Sequence, residues 1–166
     1  MEHVAARFEN DPSALDMATE AGATVLTRKD QLGDRYAGRV VGLFAEDTMP
    51  VKWQGSNGRS AEDIERSWLN LAHEMIGSIT QPDTIACVDN PSFEAMPPLE
   101  SMTRFAIDHL SRDNEKGFFL TIESASIDKQ SHVRDPCGSI GEIEQLERAL
   151  SVVNDYAARN PDTLVI

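Results

Sequence analysis

The sequence predicts an α/β fold, a largely parallel sheet flanked by helices. Three observations carry that prediction. Short runs that are apolar on both faces, at residues 40–44 and 117–123, suit strands buried in a parallel sheet. Amphipathic stretches with helical spacing lie between them. The two patterns alternate along 166 residues with no internal repeat or low-complexity tract, the order expected of helix-covered parallel strands.

Taken in order, Asp11, Pro12 and Ser13 open a first helix that runs to about Ala21, where Gly22 stops it. A short apolar run at residues 24–26 follows, then the buried strand at 40–44. Residues 46–57 carry Pro50, Trp53 and Gly55 and read as a loop. A second helix is expected over 61–76, with Ile64, Trp68, Leu71, Met75 and Ile76 facing inward. Residues 77–98, rich in Pro, Asp, Ser and Thr, read as a long surface excursion. Pro98 then starts a third helix, whose inward face is Leu99, Met102, Ala106, Ile107 and Leu110. Residues 117–123 give the clearest strand, ending on Glu123. A fourth amphipathic helix is drawn by Ile143, Leu146, Ala149, Leu150, Val153 and Ala157. Asn160, Pro161 and Asp162 form a turn, and 163–166 read as a last strand.

Composition narrows the function classes. The formal net charge of −13 excludes a whole-surface attraction to nucleic acid or anionic lipid, which needs clustered positive charge. No apolar run approaches the roughly 18–20 residues that span a bilayer. Residues Met1, Glu2, His3 and Val4 show neither the basic nor the apolar region of a secretory signal. Two cysteines, Cys87 and Cys137, are too few for a disulfide scaffold and lack the spacing of a metal or redox motif. On spacing alone they read as buried free thiols.

Chemistry concentrates in residues 123–132, which read Glu-Ser-Ala-Ser-Ile-Asp-Lys-Gln-Ser-His. This stretch begins at the end of the clearest strand, where parallel sheets place their ligands. Asp128 and His132 are four apart, so one helical face would present both. A carboxylate oxygen and an imidazole nitrogen are both good zinc donors, while Glu123 suits a harder ion such as magnesium. Lys129 could face an anionic substrate as a point charge. The plain alternative is a solvated polar loop, in which Asp128 and Lys129 form an ordinary surface pair. Two donors do not close a tetrahedral zinc, and His3, His73 and His109 pair with no carboxylate at ligand spacing. No serine-nucleophile elbow, phosphate loop or dinucleotide fingerprint is present. Cys137 follows His132 by five residues, but Pro136 and Gly138 around it indicate a turn rather than a nucleophile.

At these residues the chain resembles the bacterial alkaline phosphatase family. The resemblance is carried by Gly117-Phe118-Phe119-Leu120 leading to Glu123, by Ile127-Asp128-Lys129-Gln130 with His132, and by Pro136-Cys137-Gly138 with Ile140-Gly141-Glu142. The closing residues Thr163-Leu164-Val165-Ile166 continue it, as do Gly42-Leu43-Phe44-Ala45 and Met49-Pro50-Val51-Lys52-Trp53 upstream. It implies a partial three-layer fold and a zinc- and magnesium-dependent phosphomonoesterase that works through a phosphoserine. By motif position, Glu123 would bind magnesium, Asp128 and His132 would bind the zinc that activates the hydrolytic water, and Lys129 would reach phosphate through water. Ser131 stands where close relatives carry an acidic residue. Cys137 matches half of a family disulfide, with Cys87 as its partner fifty residues earlier, so the resemblance replaces two free thiols with a bridge. It further implies a homodimer and a periplasmic setting.

The resemblance also says what to expect of the chain as a unit. Residues 1–166 would be one partial domain. The nucleophilic serine, the phosphate-binding arginine and the carboxylate bridging the metals would lie before it, and the second zinc's ligands after Ile166. The isolated chain is then expected to be inactive, because such residues act as a unit. An alternative from another class is a non-catalytic remnant that serves as a binding or interaction module. A phosphodiesterase or phosphomutase of the wider superfamily is disfavoured by the Asp128–His132 phrase and the cysteine pair.

Overall fold

The computed structural model describes residues 14–61 and 83–166, with Trp68, Ala72 and Met75 alone between them. The first helix, α1, spans Ala14–Glu20. Gly22 ends it as expected, at φ 77°, with Gly22 N–H donating to Thr19 O and Ala23 N–H to Ala18 O. These two bonds satisfy carbonyls that the helix end would otherwise leave open. The proposed start at Asp11 lies outside the described residues.

Strands β1 (Thr24–Leu26) and β2 (Val40–Gly42) pair in parallel, with Thr24 opposite Val40 and Leu26 opposite Gly42. The crossover between them includes a 3-10 turn at Lys29–Gly33. Helix α2 (Leu99–Ser111) packs on this crossover. There Phe105 meets Tyr36 edge-on at 6.1 Å and His109 Nε2 lies 2.9 Å from Gly38 O. The α2 periodicity is met, with Ile107 buried, and Thr103 joins it in the interior. The Thr103 hydroxyl is buried with no hydrogen-bond partner among the described residues.

Two further strands lie where loops are expected. β3 (Trp53–Gly55) pairs antiparallel with β4 (Cys87–Asp89), Gly55 opposite Cys87. Pro50 and Gly55 read locally as loop signals, but the ladder is made with residues more than thirty positions away, which no local pattern reports. Helix α3 (Ser126–His132) and the long α4 (Pro136–Arg159) complete the described elements. α4 starts seven residues before its first expected apolar position, Ile143. Pro136 and Gly138 are thus not a turn but the first turn of a helix. Pro136 takes an N-terminal position that needs no N–H, and the Asp135 carboxylate accepts from Gly138 N–H at 3.1 Å.

α4 is the element against which α2, α3 and β3 all pack. Its buried residues include Cys137, Gly141, Glu142, Gln145, Ala149 and Val152. Gly141 permits the approach of β3, since a Cβ there would sit 2.9 Å from Trp53 N. Cys87 and Cys137 are bonded, tying β4 to the start of α4 as the resemblance implies.

The expected strand at 117–123 is corrected in pairing. Its residues are extended and alternate in exposure, but they join no ladder among the described residues. Phe118 packs on Tyr156 of α4 at 5.8 Å between ring centres, while Phe119 is 90% exposed. The segment is therefore covered on one face only, not on both. A strand is a paired state, and an apolar sequence sets only the capacity to pair. Residues 163–166 are likewise unpaired, with Leu164 and Ile166 exposed, although the turn before them forms through Thr163 N–H to Asn160 O. The described sheets are thus two pairs, one parallel and one antiparallel, and a three-layer arrangement on a larger parallel sheet is not among them. Most of the expected helix at 61–76 lies outside the described residues. Trp68, Ala72 and Met75 are helical there, but Trp68 and Met75 face solvent rather than inward.

Candidate metal and phosphate site

The unpaired segment 117–123 leads directly into α3, and its two ends are fastened differently. At its start, Asn114 Nδ2 donates to Gly117 O at 2.8 Å. At its end, Ser124 Oγ donates to Glu142 O on α4 at 3.2 Å. Ile127 N–H to Ser124 O opens the two-turn helix that follows. α3 closes at Val133, and Arg134, at φ 57°, reverses the chain into α4. Each candidate residue is thus placed by the corner between an extended segment and two helices.

On α3 the i, i+4 spacing does what it predicts. His132 Nε2 lies 3.6 Å from Asp128 Oδ2, and both side chains are nearly four-fifths exposed. Two donors bound at about 2.0–2.1 Å to a tetrahedral zinc stand about 3.4 Å apart, so this pair fits two corners of such a site. The same separation also suits a simple ion pair when the imidazole is protonated. Lys129 turns toward the 45–52 loop, where its ammonium donates to Thr48 Oγ1 at 3.2 Å. Ser131 bends back on its own helix, donating to Ile127 O at 2.8 Å.

Glu123 is exposed at the end of the extended segment and is not gathered with the pair. Among the described residues no group of three or more His, Cys, Asp or Glu side chains is set to hold an ion. His109 is engaged elsewhere, stacked on Phe105 at 5.7 Å and bonded to Gly38 O. His3 and His73 lie outside the described residues.

Sequence reasoning missed a second polar centre behind this corner. The Glu142 carboxylate is 7% exposed and accepts from Lys52 N–H at 3.0 Å and from Gln145 Nε2 at 2.8 Å. Gln145 Oε1 in turn accepts from Leu99 N–H, capping α2. Glu144 accepts from Lys52 Nζ at 2.6 Å and from Arg148, and these hydrogen bonds hold its carboxyl below the ordinary glutamate range. Lys52, Glu100, Gln145 and Arg148 also line a cavity of about 110 Å³ with Phe93 and Pro98, away from α3. The sequence signals were the helical spacing of Glu142 and Gln145, which on its own reads as a solvated face, and the place of Glu142 in the phrase that carries the resemblance, which gives it no role.

The comparisons with known proteins agree with the motif. The family model described as "Alkaline phosphatase" matches residues 12–166. The alkaline phosphatase of Escherichia coli K12 is 41% identical over 128 residues, covering 76% of this chain and 24% of the relative. Alkaline phosphatase H of Pseudomonas aeruginosa is 40% identical, covering 76% of this chain and 23% of the relative. The streptomycin-6-phosphate phosphatase of Streptomyces griseus is 36% identical over 157 residues, covering 90% of this chain and 31% of the relative. The chain therefore spans about a quarter of the length of the first two relatives and somewhat more of the third. A match running through the β1 region, the disulfide and the Asp128–His132 helix leaves one assignment: the chain belongs to the alkaline phosphatase family.

Proposed function

We propose that the chain is part of a phosphomonoesterase and supplies two donors of a zinc site, Asp128 and His132, one magnesium ligand, Glu123, and a phosphate-reaching cation, Lys129. The observation that carries the reading is the Asp128–His132 donor pair, 3.6 Å apart on one open helix face, in a chain of this family. When bound there, zinc supplies Lewis-acid stabilisation of charge on phosphoryl oxygens. The protein's own part is to hold the two donors on one helix face and to keep a cation beside them. The serine nucleophile, the phosphate-binding arginine and the remaining metal ligands would come from outside residues 1–166. On this reading residues 1–166 form one partial domain that does not turn over substrate by itself. The Cys87–Cys137 bridge suits an oxidising compartment, so the periplasm is the proposed setting, with a homodimer as the working assembly.

Calorimetric titration of the full chain with zinc tests the site. One weak binding event is expected, lost in both Asp128→Ala and His132→Ala, and an unchanged titration in the two variants would overturn the assignment. With zinc and magnesium present, a chromogenic phosphate ester is expected to remain intact. Turnover abolished by Asp128→Ala would instead show a complete site within these residues. A second reading, an interaction module without catalysis, is favoured by the exposed Phe119, Leu164 and Ile166. It predicts no zinc binding together with capture of a partner along those segments.

A further inference from the structure

We propose that Thr48 is a positioning residue for Lys129, holding its ammonium ready for the phosphate group of a monoester. The proposal rests on the phosphomonoesterase reading above and adds a residue from a loop 81 positions away. A lysine on an exposed helix has a flexible four-carbon stem, and ordering it on ligand arrival costs conformational entropy. An acceptor that holds the ammonium beforehand removes part of that cost, provided it leaves the positive charge in place. A hydroxyl does so, since it accepts a hydrogen bond without neutralising the cation.

The two lysine contacts near this loop show the difference. Lys52 Nζ lies 2.6 Å from the Glu144 carboxylate, so its charge is already matched. Lys129 has no carboxylate partner among the described residues, and its contact is the Thr48 hydroxyl.

The loop that carries Thr48 is itself anchored. Lys52 N–H donates to the buried Glu142 carboxylate, Asn90 Nδ2 donates to Val51 O at 2.9 Å, and Asn90 N–H donates to Lys52 O at 2.9 Å. Pro50, between these anchors and Thr48, fixes one more backbone torsion. Ser124 is tied to the backbone of the same Glu142. One residue of α4 thus anchors both the loop that offers Thr48 and the segment that leads to Lys129.

The test compares Thr48→Val, which removes the acceptor at similar shape, with Thr48→Ser, which keeps it. In the full zinc-loaded chain, Thr48→Val is expected to weaken binding of inorganic phosphate by about two- to tenfold, the worth of one hydrogen bond. Thr48→Ser is expected to stay within about twofold of the parent chain, and the zinc titration is expected to be the same in all three. Phosphate affinity unchanged by Thr48→Val overturns the proposal while leaving the metal site standing. NMR relaxation at the Lys129 side chain gives a second readout that needs no ligand. Greater Lys129 mobility in Thr48→Val, restored in Thr48→Ser, supports the positioning role, and equal mobility in all three chains overturns it. If the parent chain binds neither zinc nor phosphate, the reading of the site has failed, and the relaxation data alone decide the role of Thr48.

Discussion

The corner formed by β3 and β4 and the stretch formed by residues 117–124 and α3 lie against the same helix, α4, yet they are held very differently. The corner has a hydrogen-bonded ladder, a disulfide, the buried Glu142 carboxylate and a glycine contact with Trp53. The stretch has Phe118 on Tyr156, Ser124 on Glu142, α3 packed on α4 and Lys129 on Thr48, and beyond these contacts Phe119 and the Asp128 and His132 side chains face solvent. Among the described residues, strand pairing and the covalent bridge lie away from the candidate ligands. The clamp supplies rigidity, and the open stretch presents the groups that would meet metal and phosphate.

The largest test of that division is the disulfide. Cys87 and Cys137 are 50 residues apart, and closing a loop of that length lowers the entropy of the unfolded chain by an amount worth about 4 kcal/mol. The double replacement Cys87→Ser with Cys137→Ser is expected to lose a comparable stability in urea unfolding. It is also expected to lower the protection of β3, β4 and α4 amides in hydrogen exchange, with little change at the hydrogen-bonded amides of α3. Equal loss in both regions would mean that they unfold as one unit and that the contrast is only geometric.

A smaller test asks which of two opposed effects governs the clamp. Replacing a helical glycine by alanine ordinarily stabilises by about 1 kcal/mol. At Gly141 the new Cβ would lie 2.9 Å from the Trp53 backbone nitrogen and 3.0 Å from Trp53 Cβ, and a backbone atom in a ladder has little room to move. Overpacking of this kind costs about 1–3 kcal/mol, so Gly141→Ala is expected to destabilise, with a lower thermal midpoint. A raised midpoint would show that the contact between α4 and β3 is loose.

The two regions also differ in how far sequence reveals them. α2 is legible because Met102, Ala106, Ile107 and Leu110 repeat at helical spacing and the element needs no distant partner to declare itself. Asp128 and His132 are legible for the same reason, four residues on one helix. The start of α4 was hidden because Pro136 and Gly138 are turn signals unless Asp135 is read as the cap. β3 and β4 were hidden because their pairing joins Trp53 to Asp89, and Thr48 because its contact with Lys129 is tertiary. At 117–123 the sequence states a capacity for pairing, and no partner strand stands beside it among the described residues. Local periodicity reports local structure, and the polar network on Glu142 depends on contacts that no short window contains.

The smallest expected effect on stability, and the one that most sharpens the contrast, is at Phe119. Its side chain is 90% exposed, so Phe119→Ser removes almost no buried area and the unfolding free energy is expected to change by less than about 0.5 kcal/mol. An exposed aromatic on an unpaired extended segment does, however, offer an edge to other chains. The same substitution is therefore expected to reduce concentration-dependent light scattering. If Phe119→Ser instead lowers stability by about 2 kcal/mol or more, the side chain is covered in solution, and the contrast between the two regions fails. If stability and scattering are both unchanged, the edge at Phe119 is inert, and the interaction-module reading rests on Leu164 and Ile166 alone. The proposed zinc donors on α3, nine residues further on, would keep theirs.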